Sequence, residues 1–206
     1  MPEIPKVDFK NVSPDSLKGG FGDIIEILKM NKAAMEKVAH RDAEGISLAL
    51  VYLAVGALGA PLGGAILGYT FFGVTVRTPI VNALIGAVLA VVMGALVFYI
   101  TNMVAEKMFH GQGKFPQYFR VMGYASLINI VGFLTVLPIL STIASIWVLV
   151  VNYQALTNVH KLNSTNAVLT IIVTIVVFIA LTAVIAGLGL TGAAVGVGGG
   201  SAITLS

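Results

Sequence analysis

The 206-residue chain contains no cysteine, which excludes disulfides, thiol catalysis and cysteine metal sites. Charge is scarce. Asp, Glu, Lys and Arg make up 10% of residues, against roughly 25% in a soluble domain. Acidic residues are nearly confined to one end: residues 1–45 hold eight of the nine Asp/Glu and seven of the 12 Lys/Arg. Beyond residue 45 the charges are Arg77, Glu106, Lys107, Lys114, Arg120 and Lys161. None of these falls in the middle of a long apolar run. Pumps, proton-coupled carriers and voltage sensors bury ionisable groups at such places, so an ion-coupled transporter is disfavoured. A passive pore is not.

What remains is apolar. Hydrophobic residues make up 57% of the chain, gathered into runs too long and too free of charge for a water-soluble fold. The composition predicts an all-α, polytopic membrane helix bundle of about five transmembrane helices. It divides into a polar head (residues 1–45), a transmembrane domain (46–190) and a glycine-rich tail (191–206). Ile46–Tyr69, Ile80–Val104 and Ala167–Leu190 are each long enough to span a bilayer. Phe119–Val136 and Ile139–Leu156 have 18 residues each, with Pro138 between them. They read as a tight helical hairpin that either crosses fully or turns within the membrane. The first apolar run follows a charged segment, so it reads as a retained span and not as a cleaved signal peptide.

In the head, Ser13-Pro14-Asp15-Ser16 opens a short helix that Gly19, Gly20 and Gly22 are expected to break. Asn31 is a candidate cap for another helix. Ile24, Ile25, Leu28, Met35 and Val38 fall near one face at helical spacing, with Lys29, Lys32, Glu36 and Lys37 largely opposite. With no soluble core to cover, this face is expected to lie in the membrane interface. Basic residues flanking the spans divide eleven to one between alternate sides. That bias predicts a cytoplasmic N-terminus and a C-terminus outside, in the cell membrane. The net charge of +3 does not indicate nucleic acid, because the basic residues sit at helix ends and not in a patch with interleaved aromatics.

Two groups of residues are candidates for function. Asn102, Glu106, Arg120, Tyr124, Asn129, Asn152, Gln154 and His160 collect at the predicted cytoplasmic ends of the spans. They form either a docking face or a set of interhelical hydrogen bonds, and Glu106 and Arg120 are candidates for an ion pair. Gly56, Gly64 and Gly68, with Gly86 and Gly94 in the second span, have the small-residue spacing that lets helices approach closely. The first two spans are expected to pack together, with a homo-oligomer face as the alternative. No spacing of His40, His110 and His160 resembles a metal site. Neither Gly111-Gln112-Gly113 nor the Gly196–Gly200 run matches a nucleotide fingerprint. No catalytic residue, cofactor or metal is expected. The bilayer is the expected partner, together with a cytoplasmic protein of unknown identity.

Residues 106–167 carry a resemblance. They read Glu106-Lys107-Met108-Phe109-His110-Gly111-Gln112-Gly113-Lys114-Phe115, then Tyr118-Phe119-Arg120-Val121-Met122-Gly123-Tyr124-Ala125. After the hairpin come Trp147, Asn152-Tyr153-Gln154-Ala155-Leu156, Val159-His160 and Asn166-Ala167. In order and spacing this resembles the Yip (Ypt-interacting-protein) domain family of multi-pass membrane proteins, over about residues 24–190. The resemblance implies five helices and a cytoplasmic N-terminus. In the eukaryotic branch it implies vesicle trafficking, binding of small prenylated GTPases and membrane shaping. The chain departs from that branch: the head has no Asp-Leu-x-Gly-Pro signature, and no proline follows Gly123-Tyr124. The short head is similar to the prokaryotic branch. A non-enzymatic membrane organiser or adaptor is the leading expectation, and a passive channel or small-solute carrier subunit the alternative.

Overall fold

The computed structural model describes residues 7, 9–10, 12–71, 74–134 and 138–187. The predicted tail, 191–206, lies outside the described residues. The described chain is almost wholly helical. Four helices are long and apolar enough to cross a membrane: α3 (Ala43–Ile66), α4 (Ile80–Phe109), α6 (Pro138–Asn158) and α7 (Ser164–Gly187).

In the head, α1 (Pro14–Leu28) runs straight through Gly19, Gly20 and Gly22, contrary to the expected break. Ser13 and Ser16 cap it reciprocally. Tertiary packing offsets the poor propensity of the glycines: Gly20 is where the Tyr52 ring lies against the helix. A second short helix, α2 (Lys32–Ala39), begins at Asn31, whose side-chain oxygen accepts from the Ala33 and Ala34 N–H groups, as the sequence suggested.

The third apolar segment is not one α-helix. It is α5 (Phe115–Ala125) followed by a 3₁₀ segment, Ser126–Phe133. The sequence there, with Ile128, Asn129, Ile130, Val131 and Gly132, is poor in strong α-formers. The segment runs parallel to α3, and neighbours can be followed along both. Gly45 lies at Arg120, Ala49 at Gly123, Gly56 at Ser126, Gly59 at Asn129 and Ile130, and Gly63 at Phe133. The α3 stretch from 45 to 63 rises about 27 Å at α-helical pitch. The shorter stretch from 120 to 133 rises about 24 Å because its 3₁₀ part gains more per residue. The tighter winding therefore carries this arm to the same depth as α3.

Between α3 and α4 lies an antiparallel pair of short strands, β1 (Tyr69–Phe71) and β2 (Val74–Val76), with Thr70 opposite Thr75. The sequence reading missed it. Gly68 enters β1 at φ +83°, a conformation that glycine adopts without strain. The strands mark the far side of the bundle. The head helices, the 110–114 loop and the 159–163 loop meet on the opposite side, where the Gln112 N–H donates to the His160 carbonyl and Lys161 pairs with Glu36 at 2.8 Å.

Candidate functional site

Two places in this fold bring polar side chains together: the head side and the interior between α3 and α6. On the head side the organising residue is Asp23, nearly buried on α1. Its carboxylate accepts from Lys37 Nζ at 2.8 Å and Arg41 Nη2 at 2.6 Å. Arg41 Nη1 also donates to the Tyr124 hydroxyl at 2.8 Å. The Tyr124 ring meets Tyr52 edge-on, and the Tyr52 hydroxyl donates to the Leu17 carbonyl. One chain of contacts thus ties α1, α2, α3 and α5. The Asp23–Arg41 pair is nearly buried, and such a pair holds when the remaining hydrogen-bond positions are also filled; Tyr124 fills one here, while Lys37 stays largely exposed.

This network corrects the expectation for the head. Ile24, Met35 and Val38 lie inside the protein, Leu28 is half-buried, and Ile25 faces outward. The sequence argument assumed that no core existed for this face to cover. One does: α5 turns Tyr118, Val121, Met122 and Tyr124 into the same cluster. Each large side chain buried there contributes on the order of 1.5–3 kcal/mol.

The predicted polar group is spread over several settings, and half of it is buried. Asn102, Tyr124, Asn152 and His160 are buried, and the Tyr118 hydroxyl donates to Asn152 Oδ1 at 2.7 Å. Gln154 accepts from Asn158 through its backbone and side-chain oxygens. The proposed Glu106–Arg120 pair does not form. Glu106 lies beside Lys107, while Arg120 donates to the Ala39 and Asp42 carbonyls at 2.7 and 3.0 Å. Arg120 thereby satisfies the Ala39 carbonyl at the C-terminal end of α2, where a cation is favoured, and the carbonyl of Asp42, the N-cap of α3. Glu36 is held below the ordinary carboxylate range by the hydrogen bond and charge of Lys161.

His160 stands apart. It is 0% exposed, its ring lies 5.4 Å from that of Tyr118, and neither ring nitrogen has a hydrogen-bond partner. Burial pushes its pKa down to about 4, with the Glu106 charge opposing. Gly111 makes room for it, since a Cβ there would stand 2.9 Å from Nδ1. The imidazole is a neutral packing element whose protonation is unfavourable.

The second place is a cavity of about 520 Å³ bordered by α3, α4, the 3₁₀ segment and α6. Asn129 lies on its wall, away from the head-side cluster to which the sequence reading assigned it. The glycines sort themselves against this interior. Gly56, together with Gly59 and Gly63, lies against carbonyls of the 3₁₀ segment, not against the second span. Gly64 faces the Tyr69 ring, Gly94 meets Leu53, and Gly86 faces open space. The expected packing of α3 on α4 is present, but the closest glycine contacts belong to the third segment.

The sequence reading overlooked Asp23, Arg41, Tyr52 and Tyr118. Asp23 did carry a signal, as a lone acid beside Ile24 and one turn from Ile27 on the apolar face. Among the described residues no His, Asp and Glu cluster could hold a metal ion.

Compared with known families, residues 25–185 match the Yip1 domain. Neither the curated proteins nor the solved structures compared with the chain gave a match.

Proposed function

The chain belongs to the Yip1 domain family, and from that premise we propose that it is a non-enzymatic membrane organiser, inserted head-in, whose α1 lies in the headgroup layer. The observation that carries this reading is the outward face of α1. Phe21 and Ile25, one turn apart, are 54% and 42% exposed, with Lys18 and Lys29 beside them. The exposed Trp147 of α6 donates its indole N–H to the Leu28 carbonyl at the end of α1. Trp favours the membrane interface because one edge is apolar and the other donates a hydrogen bond.

Depth supports the same reading. Tyr52, bonded to Leu17, lies about 13 Å along α3 from its head-side end, and Trp147 about 16 Å along α6 from its own. α1 therefore lies below the head-side ends of both helices, at the level of the headgroups, with Phe21 and Ile25 turned toward the lipid. The head side also carries α1, α2 and α5 around the spanning helices, while the far side carries two three-residue strands. A cross-section wider on one side favours curved bilayers. A partner protein on the cytoplasmic face fits the same arrangement.

Full-length protein reconstituted at rising protein-to-lipid ratio should reduce vesicle diameter in electron micrographs. The double variant Phe21→Asp/Ile25→Asp should insert equally well and lose most of that effect. Vesicles unchanged by the parent at every ratio would remove the organiser reading.

Orientation has its own test. The chain has no native cysteine, so single cysteines introduced at the exposed Lys32 and Lys114 should react with a charged maleimide from the cytoplasmic side alone. One at Thr75 should react from outside alone. Outside labelling at Lys114 would reverse the assignment.

A further inference from the structure

The cavity between α3, α4, the 3₁₀ segment and α6 is not used by the reading above. Its volume, about 520 Å³, lies within the usual range of ligand sites, roughly 300–1,000 Å³. Small residues line it: Gly56, Ala60, Ala90, Gly94 and Ala144 add little bulk to its walls. α4 and α6 supply walls without packing extensively on one another, which leaves the cavity open sideways. The outward faces of these two helices, turned away from the cavity, are apolar and exposed, with Val88 and Val92 on α4 and Ile143 and Ile146 on α6. All four belong to helices that are long and apolar enough to span a membrane.

Two occupants suit a cavity inside a bundle, water or hydrocarbon, and the wall chemistry separates them. A resident water needs two to four polar partners. Three hydroxyl protons on this wall are already engaged within the protein: Ser126 donates to the Met122 carbonyl at 2.7 Å, Ser145 to the Ser141 carbonyl at 2.8 Å, and Tyr69 to the Ala60 carbonyl at 2.9 Å. The Asn129 amide and the Ser141 hydroxyl are too little to hydrate the whole volume. An opening at bilayer depth admits what surrounds it. We infer that the cavity between α4 and α6 is a lateral binding site for one acyl chain of a membrane lipid, which enters sideways from the bilayer.

The test uses full-length protein in proteoliposomes doped with a phospholipid carrying a mid-chain diazirine. After irradiation, label mapped to single residues should fall on Ala90, Gly94 and Ala144, alongside the lipid-facing Ile172 on α7 as control. Ala144→Phe should reduce labelling at Ala90 and Gly94 about fivefold and leave Ile172 labelling unchanged. A second variant, Ser141→Cys, changes one atom and covers the case in which Ala144→Phe does not fold. Its thiol should resist a charged maleimide added to both sides of the membrane and react with an uncharged apolar one. Absence of label at Ala90 and Gly94 while Ile172 is labelled would overturn the proposal. So would modification of Ser141→Cys by the charged reagent, which means water, or its oxidation to a disulfide between two chains, which means a second copy in the site. The organiser reading is read out by vesicle shape and survives or fails separately.

Discussion

A single methyl group added at Gly56, Gly59 or Gly63 is expected to lower stability by about 3 kcal/mol or more, while the same change at Gly86 does no harm. A Cβ at Gly56 would overlap the Ser126 carbonyl, and one at Gly63 the Phe133 carbonyl. At Gly59 it would stand 2.6 Å from the Asn129 oxygen and 2.8 Å from Ile130 Cα. These neighbours are backbone atoms of a segment fixed along the length of α3, so no rotamer change relieves the clash. Separating the two segments would forfeit dispersion contacts over several turns. Gly86 has nothing within 4 Å of its added carbon. Alanine there gains helix propensity, about 0.5–1 kcal/mol. Gly64 is intermediate, since its neighbour is the Tyr69 ring, which can swing. Heating each alanine variant in detergent and following the monodisperse fraction by size exclusion gives the order. A Gly59→Ala variant that melts with the parent would refute close packing of α3 on the 3₁₀ segment.

Those three glycines show what the sequence could and could not disclose. That the first span presents small residues was legible, because lipid offers helices no hydrophobic incentive to associate and close approach must be built in. Which neighbour they approach was not legible. Gly59 and Gly63 lie beside the every-fourth-residue row of Gly56, Ala60, Gly64 and Gly68, and nothing in the spacing singles them out. The partner was also not an α-helix, and hydropathy is blind to the difference between α and 3₁₀ winding. The spans α3, α4, α6 and α7 could be read because a charge-free run of that length has few other homes. α4 overran its predicted end, continuing to Phe109, because Glu106 and Lys107 sit comfortably on an exposed helical turn. The polar residues were legible as interhelical candidates but not in their setting. Asn102, Asn152 and His160 read as members of a common face, whereas all three are buried. The ties that close the head side, Asp23 to Arg41 and Arg41 to Tyr124, are 18 and 83 residues apart. No local periodicity reveals pairs so distant.

The burial of His160 gives the second large effect, a stability that depends on pH through one side chain. In the unfolded chain an imidazole takes up its proton near pH 6.5. In the folded protein burial delays that uptake to about pH 4. Between these values the unfolded state binds more protons, so stability falls as pH falls. The contribution is fully present above about pH 6.5 and gone by about pH 4, a difference of roughly 3 kcal/mol. Glu36, whose pKa lies below the ordinary carboxylate range, loses its Lys161 pairing only toward the acid end of this window, so the upper half isolates the histidine. The informative variant is His160→Phe. Neither ring nitrogen has a partner to lose, so an apolar ring of similar size beside Tyr118 should hold stability at pH 7.5 within about 1 kcal/mol. The same variant should flatten the profile between pH 6.5 and 4.5, where the parent loses most of its pH-dependent stability. Melting temperatures of both proteins in one detergent across that range decide the matter. Parallel profiles would mean that another group titrates there and that His160 is not the source of the acid sensitivity.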